Sequence, residues 1–280
     1  MKQMLKIEIQ RAFSGAAFKV SLIIGCLISI LQFINVGIKH AMDPMKFYFY
    51  NGLDFPYTIV NTWMGAVSDA YYEVYIRILP LLVVIPYASS YYIDRKLGII
   101  NNYYIRTKRI NYLIAKLIAV FLSGGVIAVL PLFINLVSTS AILPTLVWPG
   151  GSEINANAMW SDIYYSNIYL YYLLYFILEF ICGGLLATIP LMISLWINNT
   201  FVLLLFPIVL CEFLNVVTGW ATSNTIRGMK PSRLFSMTQL AINYWQSYVL
   251  FILIIIFLDV VMYMWRIISN YTAYDFFMDK

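Results

Sequence analysis

Long apolar runs, each near the length that crosses a lipid bilayer, constrain the fold of this chain more than any other feature. Hydrophobic residues make up 62% of the sequence, charged residues make up 11%, and the mean hydropathy is +0.79. A water-soluble domain carries roughly 25% charged residues. Because a membrane helix needs about 20 apolar residues, the 280 residues allow about six spans with connecting loops. We therefore predict an all-α, polytopic membrane protein with six transmembrane helices.

The predicted spans are the apolar runs of sufficient length. Their bounds are about 18–38, 74–92, 113–137, 168–196, 201–219 and 247–266. Only residues 197–200 separate the fourth span from the fifth, which predicts a tight helical hairpin. The polar segment 220–246 then falls on the opposite side of the membrane from that hairpin. The whole chain, 1–280, is expected to form one transmembrane domain.

The distribution of lysine and arginine predicts the orientation of these spans. Cytoplasmic loops of membrane proteins carry an excess of basic residues. With both termini in the cytoplasm, twelve of the eighteen basic residues lie inside, and the outer six are Lys39, Lys46, Arg77, Arg227, Lys230 and Arg233. The segment 220–246 supplies three of those six and is a partial exception to the rule. We predict a multi-pass protein of the cell (plasma) membrane with both termini cytoplasmic.

Residues 1–15 have the pattern of a helix that lies in the membrane interface. One helical face is apolar and carries Leu5, Ile9, Ala12 and Phe13. Basic and polar residues, including Arg11, occupy the rest of the circumference. The alternative interpretation is a basic flank that only sets the orientation of the first span.

A strongly charged island at residues 92–116 interrupts the apolar sequence. Its apolar residues share one face of a helix, namely Ile93, Leu97, Ile100 and Tyr104. Its polar residues cover the other faces, namely Asp94, Arg95, Lys96, Asn101 and Asn102. Gly98 weakens this helix in its middle, and a basic cluster at 106–109 follows. We predict a short amphipathic helix on the cytoplasmic surface, where a cytosolic partner can contact it.

This island resembles the cytosolic loop between the second and third spans of type-2 ATP-binding-cassette (ABC) exporter permeases. The match consists of Asp94-Arg95-Lys96-Leu97-Gly98, the basic group at 106–109, Tyr112-Leu113 and Ala115-Lys116. In that family the short helix docks onto the nucleotide-binding subunit and is called the coupling helix. The resemblance implies a coupling helix at 93–105 whose ATPase-coupling residues are Asp94, Arg95, Lys96, Leu97, Gly98, Ile100 and Tyr104. It also implies an N-terminal elbow helix, formed by Leu5, Ile9, Arg11 and Phe13, and a re-entrant segment within 220–246.

The resemblance further implies a permease subunit of an ATP-driven exporter, and not an enzyme. The chain has no GxxxxGK[ST] sequence, so ATP and magnesium are expected on a partner ABC ATPase subunit and no cofactor is expected on this chain. A second permease chain, identical or related, and the lipid bilayer are the other expected partners, and no nucleic acid is expected. The expected substrate is amphipathic, such as a peptide, an antibiotic or a lipid-linked compound, and is moved out of the cell.

Three carboxylates lie inside the predicted spans, namely Glu179, Glu212 and Asp259. A charge at the bilayer centre costs at least ~2.5 kcal/mol, so each is a candidate for the substrate path or for a polar contact between helices. They also support an alternative function, a proton- or ion-coupled secondary transporter, although no repeat of broken helices accompanies them. A third class, the intramembrane enzymes, is disfavoured because His40 is the only histidine and the carboxylates are not paired.

Overall fold

The computed structural model describes residues 1–42, 47–48, 54–55, 57–67, 69–146, 159–194, 196–197, 199–235 and 244–278. Within these residues the regular structure is helical apart from one antiparallel pair of two-residue strands, β1 (Phe47–Tyr48) and β2 (Asp54–Phe55). The prediction of an all-α architecture is confirmed for this part of the chain.

Five helices in the described residues are long and apolar enough to cross a membrane, as expected for a membrane protein. They cover Ala16–Met42, Ile110–Ser140, Ile168–Ile193, Thr200–Gly219 and Trp245–Met262. The first combines α2 (Ala16–Gln32), a π-helical turn (Phe33–Gly37) and α3 (Ile38–Met42). The others belong to α7 (Arg109–Ser140), α9 (Ile168–Ile193), α10 (Thr200–Gly219) and α13 (Trp245–Met278).

The predicted second span, 74–92, is not one long helix. Helix α4 (Ala70–Val84) has 15 residues and is about 22 Å long, shorter than the bilayer core of about 30 Å. Turns occupy residues 85–89, where Pro86 has no N–H to continue the helical bonding. Helix α5 (Ser90–Lys96) follows. The structure therefore has five helices of spanning length, within the residues it describes, where six were predicted.

Shorter helices connect the long ones. They are α1 (Lys2–Ser14), α6 (Ile99–Arg106), α8 (Ser161–Ser166), α11 (Asn224–Gly228), α12 (Pro231–Leu234) and a single 3-10 turn (Ile59–Asn61). Helices α11 and α12 occupy part of the predicted re-entrant segment 220–246, and residues 236–243 lie outside the described residues. Residues 194–199 separate α9 from α10, close to the predicted hairpin turn.

The two long helices α7 and α9 approach each other closely. A Cβ atom added to Gly124 of α7 would lie 2.5 Å from the Cβ of Ala187, and one added to Gly183 of α9 would lie 2.5 Å from the Cβ of Ala128. Small residues spaced by four therefore face each other on both helices, an arrangement that brings membrane helices into direct backbone contact. We call these four residues the α7–α9 seam.

Side chains from α2 and α4 complete the hydrogen bonding of α7 around a proline. Pro131 lies inside α7 and leaves the carbonyl of Ile127 without its helical donor. The hydroxyl of Tyr75 donates to the Ala128 carbonyl at 2.7 Å and lies 3.4 Å from the Ile127 carbonyl oxygen. Ser29 donates to the Pro131 carbonyl at 2.7 Å. The Tyr75 hydroxyl therefore lies beside the carbonyl that the proline leaves free, and Ser29 of α2 binds the carbonyl of the proline itself.

Candidate functional site

Helix α1 packs against the start of α7. Its fully buried residues are Met4, Glu8 and Ala12, and the predicted apolar residues Leu5, Ile9 and Phe13 are partly buried against the core. A carboxylate in the centre of a buried helical face is costly unless basic groups pair with it. The position of Glu8 therefore points to a charged cluster beneath α1.

The predicted coupling helix at 93–105 is two helices and not one. Helix α5 ends at Lys96, and α6 begins at Ile99. Between them Gly98 adopts a left-handed conformation with φ of 70°, which only glycine adopts without strain, and its N–H donates to the Arg95 carbonyl. The break separates the predicted apolar face, because Leu97 is 64% exposed whereas Ile100 is only 6% exposed.

Asp94 of α5 lies at the centre of a buried ionic network. Its side chain is shielded from solvent, and Arg11 of α1 binds both carboxylate oxygens, at 2.7 Å to Oδ1 and 3.1 Å to Oδ2. From α7, the Tyr112 hydroxyl donates to Oδ2 at 2.8 Å, and the Lys116 ammonium donates to the same oxygen. One carboxylate therefore connects α5 to both α1 and α7.

Glu8 supplies the second carboxylate of this network. Its Oε1 accepts from Arg11 at 3.0 Å, and its Oε2 accepts from the Tyr87 hydroxyl at 2.6 Å and lies 3.5 Å from the Lys116 ammonium. The formal charges of the two carboxylates and the two cations cancel. The buried ionic network, as we use the term, comprises Glu8, Arg11, Tyr87, Asp94, Tyr112 and Lys116.

The hydrogen bonds of the network favour the ionised forms of Asp94 and Arg11. Burial alone would raise the pKa of Asp94, but hydrogen bonds from Arg11, Lys116 and Tyr112 and the charge of Lys116 lower that pKa below its ordinary value. The hydrogen bond to Asp94 in turn raises the pKa of Arg11. Removal of one partner from a buried ion pair costs about 3–5 kcal/mol, because the remaining charge is uncompensated.

Next to this network, α5 and α6 present uncovered side chains. Ile93, Lys96, Leu97 and Ile105 are exposed, Ile105 by 84%. We call these four residues the α5–α6 surface. Exposed apolar side chains beside an exposed lysine are typical of a site that contacts another protein.

The predicted ATPase-coupling residues therefore divide into two groups. Asp94 and Ile100 are buried, whereas Lys96, Leu97 and Gly98 are exposed. Arg95 and Tyr104 are partly buried: the Arg95 guanidinium lies 5.9 Å from the centre of the Tyr91 ring, and Tyr104 packs edge-on against Tyr112. The buried group connects to other helices and the exposed group is available for contact.

The three carboxylates predicted inside spans lie in separate environments and do not form one site. Asp259 of α13 is buried and accepts a hydrogen bond from Thr188 of α9 at 2.7 Å, a polar contact between helices. Glu179 is also buried, and its Oε2 has no hydrogen-bond partner within the described part of the chain. Glu212 is exposed on α10, where it lines a cavity beside α4.

Four members of the network were not among the predicted site residues, namely Glu8, Tyr87, Tyr112 and Lys116. Weak sequence signals exist for three of them. Glu8 precedes Arg11 by three positions, and Tyr112 precedes Lys116 by four, so each pair shares one helical face. Both members of the second pair also belong to the segment that resembles the exporter loop. No comparable signal identifies Tyr87.

Among the residues that the structure describes, no group of three or more histidine, cysteine or acidic side chains is placed to hold a metal ion. Comparison with known proteins found no match to any family model, any curated protein or any solved structure. The function must therefore be inferred from the sequence pattern and the geometry of this chain.

Proposed function

We propose that this chain is the membrane-spanning subunit of an ABC exporter that moves an amphipathic substrate out of the cell, with ATP hydrolysed on a separate subunit. One observation carries the proposal. The exposed α5–α6 surface adjoins a buried ionic network that connects α5 to α1 and to the start of α7. Such an arrangement suits a segment that a cytosolic partner displaces.

The network gives a physical route for that displacement. If α5 moves, Asp94 either takes Arg11 and Lys116 with it or separates from them, and separation leaves buried charges unpaired at a cost of several kcal/mol. Movement of α5 together with α7 is therefore favoured. Because α7 packs closely against α9 through the seam, motion at the cytoplasmic end would pass into the membrane-spanning helices.

We further propose that α4 and the turn at 85–89 together make a sixth, short crossing. The chain would then have both termini in the cytoplasm of the cell membrane and the α5–α6 surface on the cytoplasmic side. The excess of basic residues on that side supports this orientation. Exposed apolar side chains along α10, such as Val209 and Phe213, suit contact with lipid or with a second permease chain.

Co-purification with an ATP-binding subunit tests the proposal. The chain is expressed together with a candidate ATP-binding subunit, and the amount of that subunit retained on purification is measured. We expect the variant Leu97→Asp and the double variant Arg95→Glu/Lys96→Glu each to reduce the amount retained at least tenfold. Leu146→Asp, at an exposed leucine predicted on the outer side, is the matched control and should leave retention unchanged. Failure of the wild-type chain to retain any ATP-binding protein would overturn the proposal.

A proton-coupled secondary transporter is the second candidate, and Glu179 is the observation that favours it. A buried carboxylate whose Oε2 has no described partner is a group that exchanges protons in many transporters. Transport in vesicles depleted of ATP, lost when the proton gradient is collapsed and absent in Glu179→Gln, would support this candidate. Transport that requires ATP and survives collapse of the gradient would exclude it.

A further inference from the structure

A cavity of about 500 Å³ lies between α4, α10 and α12. Five charged side chains line it: Glu73 and Arg77 from α4, Glu212 from α10, and Lys230 and Arg233 at α12. Sites for small molecules usually measure about 300–1,000 Å³, so this cavity has the size of a ligand site.

The walls of the cavity are fixed by hydrogen bonds. The Tyr72 hydroxyl of α4 donates to the Phe235 carbonyl at 2.7 Å, which fixes the end of α12 against α4. The Ser232 N–H donates to the Asn215 side chain of α10 at 3.2 Å. Because both contacts lie in the lining, the cavity is formed before any ligand binds, and little ordering is needed on binding.

The charges in the cavity are not fully paired with each other. Glu73 and Arg77 form an ion pair at 3.5 Å. No ion pair involves the side chains of Glu212, Lys230 or Arg233 within the described residues. Two cations and one anion are therefore available to a ligand.

The same cavity accounts for the uneven distribution of basic residues noted in the sequence. Of the six basic residues predicted on the outer side, Arg77, Lys230 and Arg233 line this one cavity. Basic residues on that side run against the positive-inside preference. Their convergence from α4 and α12 indicates a ligand-binding role in preference to an orientation signal.

We propose that this cavity binds the zwitterionic head group of an amphipathic compound. Lys230 and Arg233 would hold its phosphate or carboxylate, because charge-assisted hydrogen bonds from both cations are available. Glu212 would hold its ammonium group. Apolar side chains in the same lining, Ile76, Pro80 and Phe235, would contact the hydrocarbon part. That this compound is the exported substrate rests on the proposed function, whereas its binding does not.

Binding of three probes to the purified full chain tests this inference. Lysophosphatidylethanolamine carries the zwitterionic head and one acyl chain, lysophosphatidylglycerol carries an anionic head, and glycerophosphoethanolamine carries the zwitterionic head without a chain. We expect Lys230→Gln and Arg233→Gln each to weaken binding of the zwitterionic lysolipid about tenfold. Glu212→Gln should weaken binding of the zwitterionic lysolipid but not of the anionic one.

Lys39→Gln is the matched control, because Lys39 is an exposed basic residue predicted on the same side and lies outside the cavity lining. Its affinities should equal those of the wild type, and all variants should elute as the wild type does in gel filtration. If glycerophosphoethanolamine binds as tightly as lysophosphatidylethanolamine, the ligand is a soluble zwitterion. If binding requires the acyl chain, the ligand is a lipid.

Equal affinities of wild type, Lys230→Gln, Arg233→Gln and Glu212→Gln for the zwitterionic lysolipid would overturn the inference. Absence of binding of all three probes to the wild type would also overturn it. Neither result depends on an ATPase. A chain that retains its ATP-binding subunit but binds none of the probes would therefore refute this site and leave the proposed function standing.

Discussion

The α7–α9 seam and the buried ionic network are both contacts between helices that are largely shielded from solvent, yet different forces hold them together. The seam consists of small residues, and its close approach depends on the absence of side-chain atoms at Gly124 and Gly183. The network consists of charged and hydroxyl groups, and each member satisfies the others. Both contacts include α7, so one helix carries the two kinds of contact along its length.

This difference determines how each region responds to change. A substitution of a seam glycine adds volume at one point and lowers the stability. A smaller residue at the facing position reduces that loss. A substitution in the network removes one charge and leaves its partners buried without compensation, so the cost exceeds the value of the lost bond. The seam suits a permanent contact, whereas the network suits a contact whose members move together.

The largest expected effect is the loss of Lys116. Lys116→Met leaves Glu8 and Asp94 with Arg11 as their only nearby cation among the described residues, and we expect a loss of about 3–5 kcal/mol in the free energy of unfolding. Unfolding of the detergent-solubilised protein by denaturant measures this loss. Lys96→Met, at an exposed lysine of α5, should change stability by less than ~0.5 kcal/mol. Equal effects of the two substitutions would contradict the buried network.

The next effect is the introduction of a methyl group into the seam. Gly124→Ala places a Cβ 2.5 Å from that of Ala187, and we expect a cost of about 1–3 kcal/mol from overpacking. Adding Ala187→Gly removes the 2.5 Å contact and should restore part of the stability, because the Gly183 carbonyl oxygen still lies 3.1 Å from the added Cβ. The same unfolding measurement checks both variants. If the second substitution gave no rescue, α7 and α9 would not meet at these residues.

Gly98→Ala should have a smaller effect that comes from the backbone alone. A Cβ at this position meets no atom within 4 Å, but its positive φ of 70° is strained for alanine, so we expect a cost of about 1 kcal/mol. Gly219→Ala is the matched control, because a Cβ there also meets open space and its φ is not in the left-handed region. A cost for Gly98→Ala no larger than that of Gly219→Ala would show that the turn between α5 and α6 is not left-handed.

Acid should weaken the network without affecting the seam. The pKa of Asp94 is lower in the folded protein than in the unfolded chain, so its stabilisation is complete above the unfolded value of about 3.9 and is lost as the pH falls through the folded value. We expect its contribution to the melting temperature to stay constant from about pH 7 to about pH 5 and to fall below about pH 4. Asp94→Asn should reduce this fall in melting temperature. The double variant Gly124→Ala/Ala187→Gly should show the same fall as the wild type.

The apolar runs predicted most of the fold because a bilayer-spanning helix needs a long uncharged stretch. Helix α9 begins at the predicted residue 168 and α10 ends at the predicted residue 219. The span predicted at 74–92 stays a prediction, because the structure has a helix of only 15 residues there, Ala70–Val84, followed by turns at 85–89. Composition does not show that the helical bonding is interrupted at Pro86. Likewise, the sequence indicated weakness at Gly98 but not a left-handed residue that divides the helix in two.

The candidate site was less predictable because a buried charge and a solvated charge look alike in a sequence. Asp94 was predicted on the polar circumference of an interfacial helix, Arg11 was predicted as part of the elbow helix, and Lys116 belonged to the segment that resembles the exporter loop. None of the three was predicted to contact another. Their contact depends on α1 folding against α7, which brings together residues that are 83 positions apart for Arg11 and Asp94. Helical periodicity describes one helix and carries no information about such a contact.

The central claim is that the α5–α6 surface faces the cytoplasm and contacts a partner there. Labelling of Leu97→Cys with a membrane-impermeant maleimide tests this claim most directly. The native cysteines Cys26, Cys182 and Cys211 lie within long apolar helices, so the wild-type chain serves as the blank. We predict that Leu97→Cys is labelled in inside-out vesicles but not in intact cells, and that the co-expressed ATP-binding subunit protects it. Ser223→Cys, at an exposed residue predicted outside, should show the opposite sidedness. Labelling of Leu97→Cys from outside the cell, or labelling that the ATP-binding subunit does not change, would contradict the account.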